Sequence, residues 1–173
     1  EIDETYVGGL ERNKHQDKKL NAGRGPVGKT PIVAMRERGR GGRTLAMVST
    51  DVTLEGIRDA IYRNVEEGSE IHTDESPVYE GVGSLFHEHG TVNHSAGRYM
   101  RRGVTTNGIE SVFAVLKRGI IGVYHQVSVK HIGRYAQEFA FRLNEGAVHV
   151  KTIDRINDFI FGTAGKRLTY KAL

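Results

Sequence analysis

Apolar residues recur along this chain with two periods. Leu54, Ile57, Ile61 and Val65 stand at i, i+3, i+7 and i+11, one face of an amphipathic helix, and Thr53 is placed to cap it. Gly68 stops that helix. Ahead of it, residues 1 to 7, 31 to 37 and 43 to 50 read as strands. The last two are joined by a glycine-rich turn (Gly39, Gly41, Gly42) that predicts an antiparallel hairpin. Beyond the helix, SEIHTD (69 to 74) and HGTVNH (89 to 94) read as strands with a short helix after Pro77 between them, so the expected order is βββαβαβ.

The second half of the chain turns helical. Asn107 can cap a long helix reaching Lys117 or Arg118, with Ile109, Val112, Phe113 and Leu116 as its core stripe. Ser128 can start another, placing Ile132, Tyr135, Ala136, Phe139 and Leu143 on one side. TIDRINDFIF predicts a third helix, and AGKRLTYKAL reads as a polar tail. There is no internal repeat or low-complexity tract. A chain of 173 residues supports one sizeable core, so one α/β domain is expected: a core over residues 1–146, with residues 147–173 as a helix and tail packed on it.

Composition narrows the picture. With 38% apolar and 27% charged residues the chain reads as soluble and globular, and no apolar run approaches the roughly 20 residues a membrane span needs. The absence of cysteine excludes disulfides and thiolate zinc sites, leaves oxygen or imidazole as the only metal ligands, and suits the cytoplasm. Because the chain opens on Glu1 and runs directly into strand-like EIDETYV, an upstream segment is expected.

Charge is uneven. Residues 12 to 43 hold ten Lys and Arg against Asp17 and Glu37, a block that attracts polyanions through counterion release or simply solvates a loop. Within it, GRGPVGKT (23 to 30) fits the phosphate-loop pattern at every position. That motif works only where a buried strand enters the turn and a helix leaves it. Here NKHQDKKLNA precedes it, and Pro31 pushes Thr30 away from the helical region, so no nucleoside-triphosphate site is expected.

Three carboxylates stand where an acid needs explaining. Asp3 lies within the first strand, Asp74 closes the fourth, and Glu110 sits in the first turn of the long helix. If strands one and four pair at the middle of a sheet and the helix crosses their ends, the three converge. Carboxylates gathered in low dielectric repel one another unless a cation neutralises them, and Mg²⁺ prefers oxygen ligands. Asp74 and Glu110 bracket 35 residues, and Lys117 follows Glu110 by seven, nearly two helical turns, so the two share a face with small Ala114 between them.

Each residue also has a plainer reading. N-G-I-E at 107 to 110 has capping-box spacing, Asp3 could be an edge-strand charge, Asp74 a cap ahead of Pro77, and Lys117 a solvated lysine. His72 and His94 could reach a metal, but a hydrogen-bonded histidine near a strand end is commoner, and both are left out of the metal set.

The stretches IDETYVGG, HTDES and TTNGIESVFAVLKRGIIGVYHQVSVKH, with GRGPVGKTP and GTAGKRLTYKAL, resemble the DDE transposases of bacterial insertion sequences, specifically the ISXO-type group, over nearly the whole chain. The resemblance implies an RNase H-like fold, a five-stranded mixed sheet flanked by helices, with Asp3, Asp74 and Glu110 as the acidic triad. Asn107 is the reserve for the variable third position, and Lys117 would contact the transposon end. It implies two Mg²⁺ ions, replaceable by Mn²⁺, about 3.5 to 4 Å apart, bridged by Asp3. The implied reactions are cleavage at the transposon end and transfer of the 3′-OH into target DNA, without a covalent protein intermediate.

Candidate phosphate contacts are Lys14, Lys18, Lys19, Arg24, Lys29, Arg98, Arg101, Arg102 and Lys117, with Tyr99 available to stack on a base. The resemblance further implies DNA as partner, a homo-oligomer on DNA, nucleoid association and an upstream DNA-binding region. Two alternatives stay open: a nuclease of the same fold without strand transfer, and a DNA-binding remnant that no longer cuts.

Overall fold

The computed structural model describes residues 1–173 except 10, 21–24, 40, 50–52, 94–102, 146–149 and 167–173. β1 (Ile2–Val7), β2 (Thr30–Arg36) and β3 (Thr44–Val48) form an antiparallel sheet in that spatial order. Asp3 lies opposite Ala34, and Ala34 opposite Ala46, so the acidic residue has only methyl side chains beside it across the sheet. The phosphate-loop pattern leads into β2 at Thr30, not into a helix, as the preceding reading required.

α1 (Leu54–Asn64) begins as expected, with Thr53 Oγ1 accepting from the Gly56 N–H at 3.2 Å. β4 (Glu70–Asp74) then pairs in parallel with β5 (Glu88–Val92), the connection being two short 3₁₀ turns at Pro77–Tyr79 and Val82–Leu85. α2 (Asn107–Gly119) continues into a π-helical turn at Ile120–Tyr124, and α3 (Ile132–Glu145) and α4 (Thr152–Thr163) follow. No described helix is long and apolar enough to cross a membrane.

Alternation along the strands sorts side chains onto two cores. On one face of the three-stranded sheet, Val7, Ile32, Ala34 and Ala46 pack with Ile109, Val112, Phe113 and Leu116 of α2 and Ile132, Ala136 and Ala140 of α3. On the other, Ile2, Val33 and Met35 pack with Ile57 and Ile61 of α1, Ile71 of β4, and Tyr79 and Val82. The whole expected stripe of α2 is buried, while that of α1 is buried at Ile57 and Ile61, with Leu54 at the helix start exposed. α2 and α3 approach closely at Gly119, where a Cβ would lie 2.0 Å from the Phe139 ring.

Four expectations need correction. The described strands form a three-stranded antiparallel sheet and a two-stranded parallel one, not a single five-stranded sheet; β1 and β4 run side by side without a shared hydrogen-bond ladder. Asp3, Glu4 and Asp74 stand at their seam within range of one another's charge. α2 takes Thr106 as its N-cap, one residue before Asn107, because the run T-T-N offers three polar residues in succession. α3 starts at Ile132; residues 128 to 131 form only a turn, in which Ile132 N–H donates to the Ser128 carbonyl at 3.1 Å. Finally, no residue of α4 is buried, and Ile153, Ile156, Phe159, Ile160 and Phe161 are exposed, so the packing expected for the C-terminal helix is not seen.

Candidate active site

β1 delivers successive acids to opposite faces. Ile2 belongs to the α1-side core and Val7 to the α2-side core, so Asp3 faces α2 and Glu4 faces α1. On β4 Ile71 points into the α1-side core, which turns His72 and Asp74 toward α2. Two strands side by side and the first turn of a helix thus bring Asp3, Asp74 and Glu110 to one face from distant parts of the chain.

Each half-buried carboxylate is oriented by a local donor. Asp3 Oδ1 accepts from the Glu4 N–H at 2.8 Å. Asp74 Oδ1 accepts from the Ser76 N–H at 2.9 Å, a turn that bends the chain off the end of β4 toward Pro77. Glu110 Oε1 accepts from the Thr106 hydroxyl at 3.1 Å, and with Thr106 as the cap and the Asn107 N–H donating to Thr105 Oγ1, the end of the helix is not the Asn107 capping box. Burial, reinforced by the charges of Glu4, Asp74 and Glu110, pushes Asp3 up from 3.8 to about 7, against the pull of its backbone hydrogen bond.

Asp3 stands within reach of the charges of Asp74 and Glu110. Among the described residues, however, no three Asp, Glu or His side chains form a group that could hold a metal ion. In kind the donors suit Mg²⁺: all are carboxylates, and Asp3's hold on its proton marks a place short of positive charge.

The other expected residues divide. Ala114 and Lys117 are exposed on α2 with Glu110 half-buried, the shared face that their spacing predicts. Asn107, the reserve third ligand, is exposed, and its N–H donates to Thr105 Oγ1 at 3.2 Å. Lys14, Lys18, Lys19 and Lys29 all lie in the long β1–β2 connection, where Lys14 pairs with Glu11 at 2.6 Å. Arg24, His94, Arg98, Tyr99, Arg101 and Arg102 lie outside the described residues. His72 is buried and hydrogen-bonded on both ring nitrogens, to Arg38 at 3.1 Å and Glu70 at 2.7 Å.

One partnership escaped sequence reasoning. Glu4 accepts a short hydrogen bond from the hydroxyl of buried Tyr79; burial raises both groups' pKa, against the pull of that hydrogen bond at Glu4, and the charge of Asp74 adds to the rise at each. Adjacent acids in a strand must face opposite ways, which signals that Glu4 needs a partner without saying which residue supplies it.

Half-buried acids spanning two strand edges and a helix end, in a mixed α/β domain with a basic loop, define the candidate site. The family comparison makes this specific: the ISXO2-like transposase domain matches residues 1–144, and the chain belongs to that family. Neither a curated protein nor a solved structure matches it.

Proposed function

We propose that this domain cuts DNA at the ends of an insertion sequence and joins the released 3′-OH to target DNA, in an RNase H-like catalytic core with Asp3, Asp74 and Glu110 as its acidic set. The observation that supports the reading is that β1, β4 and the first turn of α2 turn Asp3, Asp74 and Glu110 toward the same side of the sheet, in a member of a transposase family.

Asp3, Asp74 and Glu110 would hold Mg²⁺, or Mn²⁺ in its place. When bound, the metal would supply Lewis-acid activation of the attacking oxygen and charge relief at the leaving one. The chain's own part is positional. The backbone amides of Glu4 and Ser76 and the hydroxyl of Thr106 each fix one oxygen of one acid. Lys117, exposed two turns after Glu110, would hold a phosphate of the transposon end, and Lys14, Lys18, Lys19 and Lys29 would hold the DNA backbone without reading sequence. Assembly as a homo-oligomer on paired ends, in a nucleoid-associated cytoplasmic setting, belongs to the same reading.

The test is Mg²⁺-dependent nicking of terminal inverted-repeat DNA by the wild type beside Asp74→Ala, followed by strand transfer of a pre-cut end. Nicking by the wild type alone supports the assignment, and transfer separates a transposase from a nuclease of the same fold. A second reading has its own observation. Because no described trio of acids is grouped to hold an ion, a DNA-binding remnant is the alternative, and equal binding with no nicking by either protein would favour it.

A further inference from the structure

The amino end of α2 is built in an unusual way. Thr106, at the N-cap, makes no side-chain bond to the helix backbone; its hydroxyl goes instead to the Glu110 carboxylate. The free N–H groups of a first helical turn need acceptors from elsewhere. Thr105 Oγ1 takes the N–H of Asn107, and the carboxylate of Glu1 takes the N–H of Ile109 at 2.9 Å, across 108 residues of sequence.

Several features show this contact to be specific. The Glu1 side chain is only 6% exposed, and its other oxygen lies 3.6 Å from Arg38 Nε. Arg38 is itself held, donating to the Gly103 carbonyl at 3.0 Å and to His72 Nδ1 at 3.1 Å. With the Thr105 N–H also directed at His72 Nδ1 (3.4 Å), that nitrogen is an acceptor, so the ring proton lies on Nε2 and points to Glu70. Room for the carboxylate comes from Gly108, where a Cβ would stand 2.5 Å from Glu1 Oε2.

Glu1, immediately before β1 and bonded through its backbone to Arg36, lies two residues before Asp3, as His72 lies two before Asp74 on β4, so each stretch presents one residue of this network and one proposed metal ligand. We infer that Glu1 is a positioning residue: from the entry to β1 it caps the amino end of α2 and so sets Glu110 relative to Asp3, with Gly108 leaving it room and Arg38 and His72 holding it in place. The inference rests on the proposed function only for what the positioning serves. A carboxylate at a helix amino end also meets the positive end of the helix dipole.

The test compares Glu1→Ala, Glu1→Gln and Gly108→Ala in the full chain without metal, by amide hydrogen exchange. In Glu1→Ala, exchange at Ile109 should quicken about five- to tenfold, the loss of one cap, while Val112 and Leu116 keep their wild-type rates. Glu1→Gln, which keeps an acceptor oxygen, should recover most of the protection. Gly108→Ala is the sharper case. Alanine favours helix over glycine, so protection at Ile109 should rise if Glu1 is a bystander and fall if its carboxylate is displaced. Unchanged or increased protection in Gly108→Ala, or unchanged exchange in Glu1→Ala, overturns the inference.

A second readout is Mn²⁺ titration of nicking. The concentration for half-maximal rate should rise about tenfold in Glu1→Ala and Gly108→Ala, with recovery in Glu1→Gln. An unmoved Mn²⁺ midpoint alongside faster Ile109 exchange would overturn the positioning role while keeping the cap. If the wild type does not nick at all, the proposed function fails, and hydrogen exchange still decides whether Glu1 caps α2.

Discussion

The two faces of the three-stranded sheet treat the same chemical group differently. On the α1 side one carboxylate, Glu4, meets a dedicated phenol, Tyr79, inside an otherwise apolar core. On the α2 side stand three carboxylates, Asp3, Asp74 and Glu110, each oriented by a backbone amide or a hydroxyl close to it in sequence. The first arrangement completes itself within the protein. The second leaves like charges facing one another, which a fold tolerates at a functional site and has little reason to build elsewhere.

The largest expected effect comes from removing the charge on the α2 side. Asp3→Asn should lower nicking by about 10³-fold or more, since the charge stabilisation that a bound metal supplies is worth several kcal/mol and each 1.4 kcal/mol is tenfold. Stability should move the opposite way. Folding raises the Asp3 pKa from 3.8 to about 7, so between those values the native state holds a proton that the unfolded chain has released. In chelator, stability should therefore fall as pH rises from about 4 to about 7 and level off above that. Thermal melts of Asp3→Asn should lack this component; an unchanged pH profile would mean that Asp3 is not the acid responsible.

Tyr79→Phe should do the reverse, costing stability while leaving the acids of the α2 face in place. It strands a half-buried carboxylate without its donor, a loss of about 1 to 3 kcal/mol by denaturant unfolding. Glu4→Gln in the same background should recover part of it by removing the charge. Additive effects of the two substitutions would show that Glu4 and Tyr79 do not act as a pair.

The same division explains what could be read from the sequence. Local patterns were legible: the α1 and α2 stripes, the Thr53 cap and the β2–β3 hairpin all follow from residues within a few positions of one another. The side of the sheet that Asp3 and Asp74 face follows from strand alternation once the two cores are known. The partners were not legible. Glu1 reaches Ile109 across 108 residues and Glu4 reaches Tyr79 across 75, and nothing in a one-dimensional pattern selects those pairs. The slip from Asn107 to Thr106 has the same root, since the choice among three adjacent polar residues follows from which N–H groups Glu1 and Thr105 already satisfy. Exposed α4 carries an amphipathic sequence whose apolar side meets no buried partner among the described residues, a tertiary fact that periodicity does not contain.

The smallest effect on stability belongs to the outer side of α2. Lys117 is exposed, so Lys117→Ala should change unfolding free energy by no more than about 0.5 kcal/mol. Its consequence should appear only with DNA. Losing one phosphate contact reduces the slope of log affinity against log salt by about 0.9, and it weakens binding alike for end and unrelated sequences. A lysine that merely solvates the helix would leave that slope unchanged. The measurement therefore separates the two readings of Lys117, and it also asks whether the face that gathers the acids is the face that receives the nucleic acid.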